Sequence, residues 1–273
     1  MLLAMPSVEL VVTDLDGTLW FGHEETHPAT VAAWHELERR DVPVLVATGR
    51  RVASTRDPLA RLGFSPPAVM LNGAIAIDLG TGDRFHSHHY AAEDARKVLA
   101  AFHAVGIDPC VYVDHATVDV FVGERPSTHA DHITALGRSA ARDDLEAIVS
   151  SVPVLMFGLV GHHDHEPLAE LALALAGAAE IHVAGIDQYG GHSCTATPLG
   201  LSKWSGVMSY CARAGLDPER VLAIGDGPND RELLAGAAVA VVPIDGDRHL
   251  VRDADHVVSS ARDGGWAEIL ELI

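Results

Sequence analysis

Apolar residues in this chain fall in short runs that end in polar turns. Val8 and Leu10-Val11-Val12 lead into Thr13-Asp14-Leu15-Asp16-Gly17, and Val42–Ala47 leads into Thr48-Gly49-Arg50. Ala68-Val69-Met70-Leu71 ends in Asn72-Gly73, and Val221-Leu222-Ala223-Ile224 ends in Gly225-Asp226-Gly227-Pro228-Asn229-Asp230. Such runs, rich in β-branched residues and without alternation, read as strands of a parallel sheet covered on both faces. Stretches of helical spacing lie between them. Val31, Trp34 and Leu37 follow Pro28, with Arg39-Arg40 as a basic last turn. Further helices are predicted from about Arg51 to Leu62, stopping at Gly63, and from Ser202 to Ala214, stopping at Gly215. The pattern predicts an α/β fold whose strand tips share one end of the sheet, where such folds place ligands.

The texture changes from about Phe85. A helix is predicted over Ala91–Ala104, then alternating Val111-Tyr112-Val113 and Val118–Val122 around a polar turn. A strand over Val152–Val160, a helix over Pro167–Ala176 and a strand over Glu180–Ile186 follow, ending at Gly190-Gly191. The βα pattern then resumes through Val239–Val242 and His256-Val257-Val258, and Gly264-Gly265-Trp266 opens a final predicted helix. The expected organisation is a discontinuous core, residues 1–84 and 191–273, with a second α/β domain inserted over residues 85–190.

Charge narrows the classes of partner. With 19 basic and 38 acidic residues the chain carries a formal charge of −19 and shows no basic patch, so neither nucleic acid nor an anionic membrane is expected as a partner. Cys110, Cys194 and Cys211 are odd in number and far apart, which argues against a disulfide framework or a thiolate metal knuckle. Met1-Leu-Leu-Ala-Met5 lacks the basic start and apolar length of a signal peptide. A cytoplasmic setting is expected; the sequence gives no oligomeric state.

The predicted strand tips collect Asp14, Asp16, Thr48, Asn72, Asp226, Asn229 and Asp230, and Lys203 opens a helix nearby. Carboxylates two residues apart at one tip need a proton or cation between them, and hard oxygen donors suit Mg²⁺, which commonly shares its shell with a phosphate. Thr48, Asn72, backbone N–H groups and Lys203 are suited to the remaining phosphate oxygens. Lys203 sits at the helix end its own charge disfavours, which points to an anionic partner. Arg50 has two candidate roles, contact with substrate or pairing with a core carboxylate. The clusters His86, His88, His89 and His162, His163, His165 lack the spacing of a zinc site and are expected to be solvated surface. Tyr90, Tyr112, Phe121, Met156, Phe157 and Tyr189 are expected to pack in a core.

In order and spacing these motifs resemble the haloacid dehalogenase superfamily, within it the Cof-like phosphatases with a large inserted cap. Thr13-Asp14-Leu15-Asp16-Gly17-Thr18-Leu19 resembles the first motif, Ala47-Thr48-Gly49-Arg50 the second, Leu199-Gly200-Leu201-Ser202-Lys203 the third and Gly225–Asp230 the fourth. The resemblance implies a Rossmann-like core with an α/β cap of the C2B type. It also implies that Asp14 is a nucleophile, that Asp16 is a general acid and base, and that Thr48 and Lys203 complete the catalytic set. Gly49, Arg50, Asn72 and Asn229 would bind substrate. Mg²⁺ would be held by Asp14, the backbone carbonyl of Asp16 and Asp226, with Asp230 a direct or an outer ligand. Two stretches depart from the Cof-like pattern. Val241–Gly246 replaces a Met-Gly-Asn-Ala stretch and, with Gly264-Gly265-Trp266, is similar to mannosyl-3-phosphoglycerate phosphatases. Trp204 stands where glycine is commoner and could narrow the pocket or pack on the core.

The expected activity is therefore Mg²⁺-dependent hydrolysis of a small phosphorylated metabolite, such as a sugar phosphate, through an aspartyl-phosphate. Alternatives are a phosphomutase of the phosphomannomutase type, a phosphoacceptor module without turnover, and a non-catalytic ligand-binding protein.

Overall fold

The computed structural model describes residues 8–115 and 117–273, so the Met1–Met5 segment lies outside the described residues. The first part of the core runs β1 (Leu10–Thr13), α1 (Pro28–Arg39), β2 (Val44–Ala47), α2 (Val52–Arg61), β3 (Pro67–Met70), β4 (Ile75–Asp78) and β5 (Arg84–Ser87). An insertion follows, with α3 (Ala92–Ala104), β6 (Cys110–Val113), β7 (Val120–Val122), α4 (Ala130–Leu136), β8 (Ala140–Arg142), α5 (Leu145–Ser151), β9 (Val154–His162), α6 (Glu166–Ala174), β10 (Ala179–Ile186) and β11 (His192–Pro198). The core is completed by α7 (Lys203–Ala214), β12 (Val221–Ile224), α8 (Arg231–Gly236), β13 (Val239–Pro243), α9 (Arg248–Asp253), β14 (His256–Val258) and a terminal 3-10 helix, Gly265–Leu272, where the sequence predicts an α-helix.

The core sheet has the order β14-β13-β12-β1-β2-β3-β4-β5. It is parallel from β14 to β3 and antiparallel where β4 and β5 extend it. β1 sits at its centre, in register with β12 on one side (Thr13 beside Ile224) and β2 on the other (Thr13 beside Val46). Both faces are covered. Val11, Val46, Leu222 and Val241 pack with Trp34, Leu37, Phe64 and Trp266, whereas Leu10, Val12, Leu45 and Ala223 pack with Val207, Cys211 and Leu233. That explains the unbroken apolar runs.

The inserted sheet has the order β10-β11-β9-β6-β7-β8 and is antiparallel except where β7 meets β8. Phe102 of α3, Ile148 of α5 and Leu168 and Leu171 of α6 pack with Val111, Phe157, Leu159, Cys194 and Ala196 in one cluster. Tyr90, Tyr112, Phe121, Met156 and Phe157 are buried, as expected, while Tyr189 is half-buried.

The unit boundaries differ from the expected ones. The chain divides into the residues up to Ser87 with Ser202–Ile273, and His88–Leu201. β5 pairs with β4, which keeps it in the core beyond residue 84. β11 pairs with both β9 and β10, so the expected boundary after residue 190 falls inside a hairpin. The alternating stretch His192–Thr197 carries the signal of that strand, with Cys194 and Ala196 facing the cluster. Among the described residues no helix is long and apolar enough to cross a membrane.

Candidate active site

Asp14 follows β1 directly and is buried, its N–H donating to the Ile224 carbonyl at 2.9 Å. A short relay fixes its backbone from below: Trp266 Nε1 donates to Thr13 Oγ1 at 2.9 Å, and Thr13 Oγ1 donates to the Asp14 carbonyl at 2.6 Å. Gly17 then turns the chain at φ +79, and a Cβ at this position would collide with the Asp226 carboxylate. The turn brings Thr18 into reach of the loop after β12, where its Oγ1 donates to Asp226 Oδ1 at 2.9 Å.

Lys203 opens α7 behind a reciprocal capping box between Ser202 and Ser205. The lysine is fully buried, and its Nζ lies 2.7 Å from both Asp14 Oδ1 and Asp230 Oδ1. Asp230 Oδ2 accepts from the N–H groups of Asp226 and Gly227 at 3.1 and 3.0 Å. Both of its oxygens are therefore engaged in holding Lys203 and the Asp226 loop. Asp14, Asp226 and Asp230 each offer a carboxylate oxygen, and these lie within 4.8 Å of one another.

The charges explain why a cation fits. Burial, then Asp230, pushes the Asp226 carboxyl up to about 7, with Thr18 and Lys203 opposing. Burial pushes Asp14 well above the usual carboxylate range, with Lys203 opposing and the other acids adding. Burial alone would lower the lysine, yet its two carboxylate partners outweigh that and hold it above its ordinary value. One ammonium thus serves three crowded acids. Their donors are hard oxygens, without thiol or imidazole, a set suited to Mg²⁺.

A second group of polar side chains gathers at the tips of β2 and β3. Thr48 is buried and its Oγ1 accepts from the Arg50 N–H at 3.2 Å. Leu71 and Asn72 both adopt positive φ, 51 and 53, which turns the chain sharply after β3. Asn72 is buried there, and its Oδ1 accepts from Asn229 Nδ2 at 2.9 Å, joining the second motif's neighbour to the fourth. A Cβ on Gly49 would press within 3.1 Å of Asn72 Oδ1.

Asp16 behaves differently from its expected pairing with Asp14. Its carboxylate lies outside the three-acid cluster and turns to Arg50, with Nε to Oδ2 and Nη2 to Oδ1 both at 2.6 Å. The acids that crowd together come instead from distant parts of the chain, because Gly17 and Thr18 carry β1's loop toward Asp226. Arg50 takes the carboxylate-pairing alternative, and its Nη1 also meets Glu24 Oε1 at 2.6 Å. Glu24 Oε2 in turn meets Arg61 Nη2 at 2.7 Å.

Trp204 packs over Gly236 and against the cluster of α7 and α8, the core role rather than the pocket-narrowing one. The loop after β13 supports the fourth motif: the Asp247 N–H donates to the Asp226 carbonyl at 2.8 Å. His88, His89, His163 and His165 are exposed, whereas His86 and His162 are half-buried and depart from the expected solvated surface, His86 Nδ1 lying 3.3 Å from Ser209 Oγ; among the described residues no histidine joins a group able to hold a metal ion. Sequence reasoning missed Thr18, Trp20 and Glu24. Thr18 lies within the first motif and was within reach; Trp20 and Glu24 carry no spacing signal.

The sequence profile of the haloacid dehalogenase-like hydrolases matches residues 11–270. A phosphoglycolate phosphatase of Methanopyrus kandleri is 25% identical over 264 residues, spanning 97% of this chain and 96% of its own. An HMP-PP phosphatase of Serratia proteamaculans is 25% identical over 236 residues, 85% of this chain and 82% of its own. Among solved structures, a haloacid dehalogenase-like hydrolase from B. subtilis superposes with a TM-score of 0.80 at 16% identity, covering 96% of this chain and 99% of the other. A subclass IIB sugar phosphatase of the superfamily gives 0.77 at 18% identity, covering 97% and 100%. The fold is theirs, and the chain belongs to the haloacid dehalogenase-like hydrolases.

Proposed function

We propose that this phosphatase is a Mg²⁺-dependent phosphomonoester hydrolase that releases phosphate from a small polar metabolite through an aspartyl-phosphate on Asp14. The observation that carries the reading is the buried triangle in which Lys203 Nζ stands 2.7 Å from both Asp14 and Asp230 beside Asp226. Relatives acting on phosphoglycolate and HMP-PP, and a sugar phosphatase of the same fold, support the substrate class.

An Asp14 carboxylate oxygen attacks phosphorus while the P–O bond to the leaving group breaks, and the departing oxygen takes a proton from Asp16. Water then attacks the phosphoryl group, gives its proton to Asp16 and displaces the Asp14 oxygen, which restores both carboxyl groups and yields inorganic phosphate. Lys203 offsets the charge that accumulates on Asp14 and the phosphoryl oxygens. Asp14, Asp226 and the Asp16 carbonyl would hold Mg²⁺, with Asp230 fixing Lys203 and the Asp226 loop. When bound, the ion supplies positive charge to the transferring phosphoryl oxygens. Thr48, Gly49, Asn72 and Asn229 present hydroxyl, amide and backbone groups to the phosphate. Three buried free cysteines suit a reducing, cytoplasmic setting.

A phosphate-release screen over sugar phosphates, phosphoglycolate, nucleotides and phosphorylated polyols with added Mg²⁺ tests the reading. Asp14→Asn is expected to lower turnover by about 10³-fold or more while the protein stays folded, since a nucleophile is lost. Full activity in that variant rejects the mechanism. Isomerised sugar in place of free phosphate would identify a mutase.

A further inference from the structure

Asp16 is given an acid and base role by the reading above, and the structure surrounds it with three N–H donors from two residues. Arg50 delivers Nε to Oδ2 and Nη2 to Oδ1, each at 2.6 Å. Trp20 Nε1 donates to Oδ1 at 3.0 Å. The same indole is fully buried and lies beneath the guanidinium, whose carbon stands 4.8 Å from the ring centroid. Arg50 is fixed on its far side as well, through Nη1 to Glu24 Oε1 at 2.6 Å and to the Ser54 carbonyl at 3.0 Å. Glu24 holds φ at +68, a left-handed conformation that a glutamate adopts only when its surroundings demand it, and it is anchored again by Arg61.

This construction has a chemical reason. Asp16 sits two residues from Asp14 with a side chain about half exposed, 51%, so rotamer freedom alone would let it swing. Left free, its carboxylate would be drawn to any cation placed among Asp14, Asp226 and Asp230 and would be spent as a ligand. A lysine could offer charge at Arg50's position but not a planar fork matched to both carboxylate oxygens while stacking on an indole.

We infer that Arg50 and Trp20 are positioning residues for proton transfer: they clamp the Asp16 carboxyl group away from the three-acid cluster and hold its Oδ2, which takes one of these N–H groups where Oδ1 takes two, for the proton that goes to the leaving group and returns from the water. The inference rests on the proposed role of Asp16. It assigns Trp20, which no motif marks, a function beyond packing, and gives Arg50 a partner in the enzyme rather than in the substrate.

The discriminating readout is leaving-group dependence of kcat/KM, which reports the steps up to departure of the alcohol. Phenyl phosphate has a poor leaving group that needs protonation; 2,4-dinitrophenyl phosphate has a good one that does not. In Arg50→Ala, kcat/KM is expected to fall about 100-fold for phenyl phosphate and about five-fold or less for the dinitrophenyl ester, within the range of general acid catalysis. Added guanidinium should restore about ten-fold of the loss on phenyl phosphate, and Arg50→Lys should recover less than that. Trp20→Phe keeps the stacked ring and removes only the N–H, so it should show the same preference on a smaller scale, about three- to ten-fold. Equal losses on both esters, or no loss on either, overturn the inference. Should Arg50→Ala fail to fold, Trp20→Phe decides by the same criterion. Asp16→Asn, measured alongside, separates the two levels. If it discriminates between the esters and the clamp variants do not, the clamp alone is wrong; if it does not discriminate, the acid role of Asp16 is wrong as well.

Discussion

The core sheet is packed on both faces, with Val11 and Val46 turned to one cluster and Val12 and Leu45 to the other. In the inserted sheet, residues of α3, α5 and α6 join the strands in a single cluster in which Phe102 and Phe157 stack. Two-sided packing leaves a strand no freedom to shift register, so whatever follows its tip is held to within a fraction of an ångström. Catalytic groups need that fixity. Asp14 and Thr48 follow directly on such strands, and Asp226 follows β12 after a single glycine, Gly225.

The two regions also differ in what a single change should do, and all four tryptophans, Trp20, Trp34, Trp204 and Trp266, lie in the core unit and report on it alone. Lys203→Met leaves Asp14 and Asp230 buried without their cation and is expected to cost the core about 3–5 kcal/mol. The denaturant midpoint seen by tryptophan fluorescence should fall accordingly; an unmoved midpoint would show that the acids are compensated in some other way. Phe157→Ala, at a fully buried position, is expected to cost the insert about 3–5 kcal/mol. Amide exchange in β9 should accelerate while the tryptophan transition stays in place. If both move together, the two units unfold as one and their separate packing has no energetic counterpart.

The smallest expected effect concerns protons and Mg²⁺. Burial and Asp230 raise Asp226 in the folded state to about 7, above its unfolded value. The proton it holds therefore adds stability at low pH, and this contribution is lost as pH rises through about 7. A cation that replaces the proton reverses the trend. Added Mg²⁺ should raise the thermal midpoint more at about pH 8 than at about pH 6, by a few degrees. An equal increment at both would remove Asp226 from the metal site.

Much of the core was legible from residue order. Runs such as Val221–Ile224 can be read as strands because a strand buried on both faces must be apolar throughout, and the glycine stop at Gly215 is a backbone requirement met in the left-handed conformation. The insert was less so. α4, α5 and β8 went unread because seven-residue helices and a three-residue strand carry too few apolar positions to establish a period. β11 was missed because its alternation is built from small residues, Cys194 and Ala196.

By itself, the sequence determined the core strands that carry the site, their polar tips and the family to which they belong, since burial on two faces and the turn chemistry of Asp-x-Asp-Gly are local demands. Tertiary structure decided how the charges are shared. Only the fold brings Lys203 between Asp14 and Asp230 and turns Asp16 from its neighbour in sequence to Arg50 and Trp20. The reason is that charge pairing acts through space over a few ångströms, across 189 residues between Asp14 and Lys203 as readily as across two.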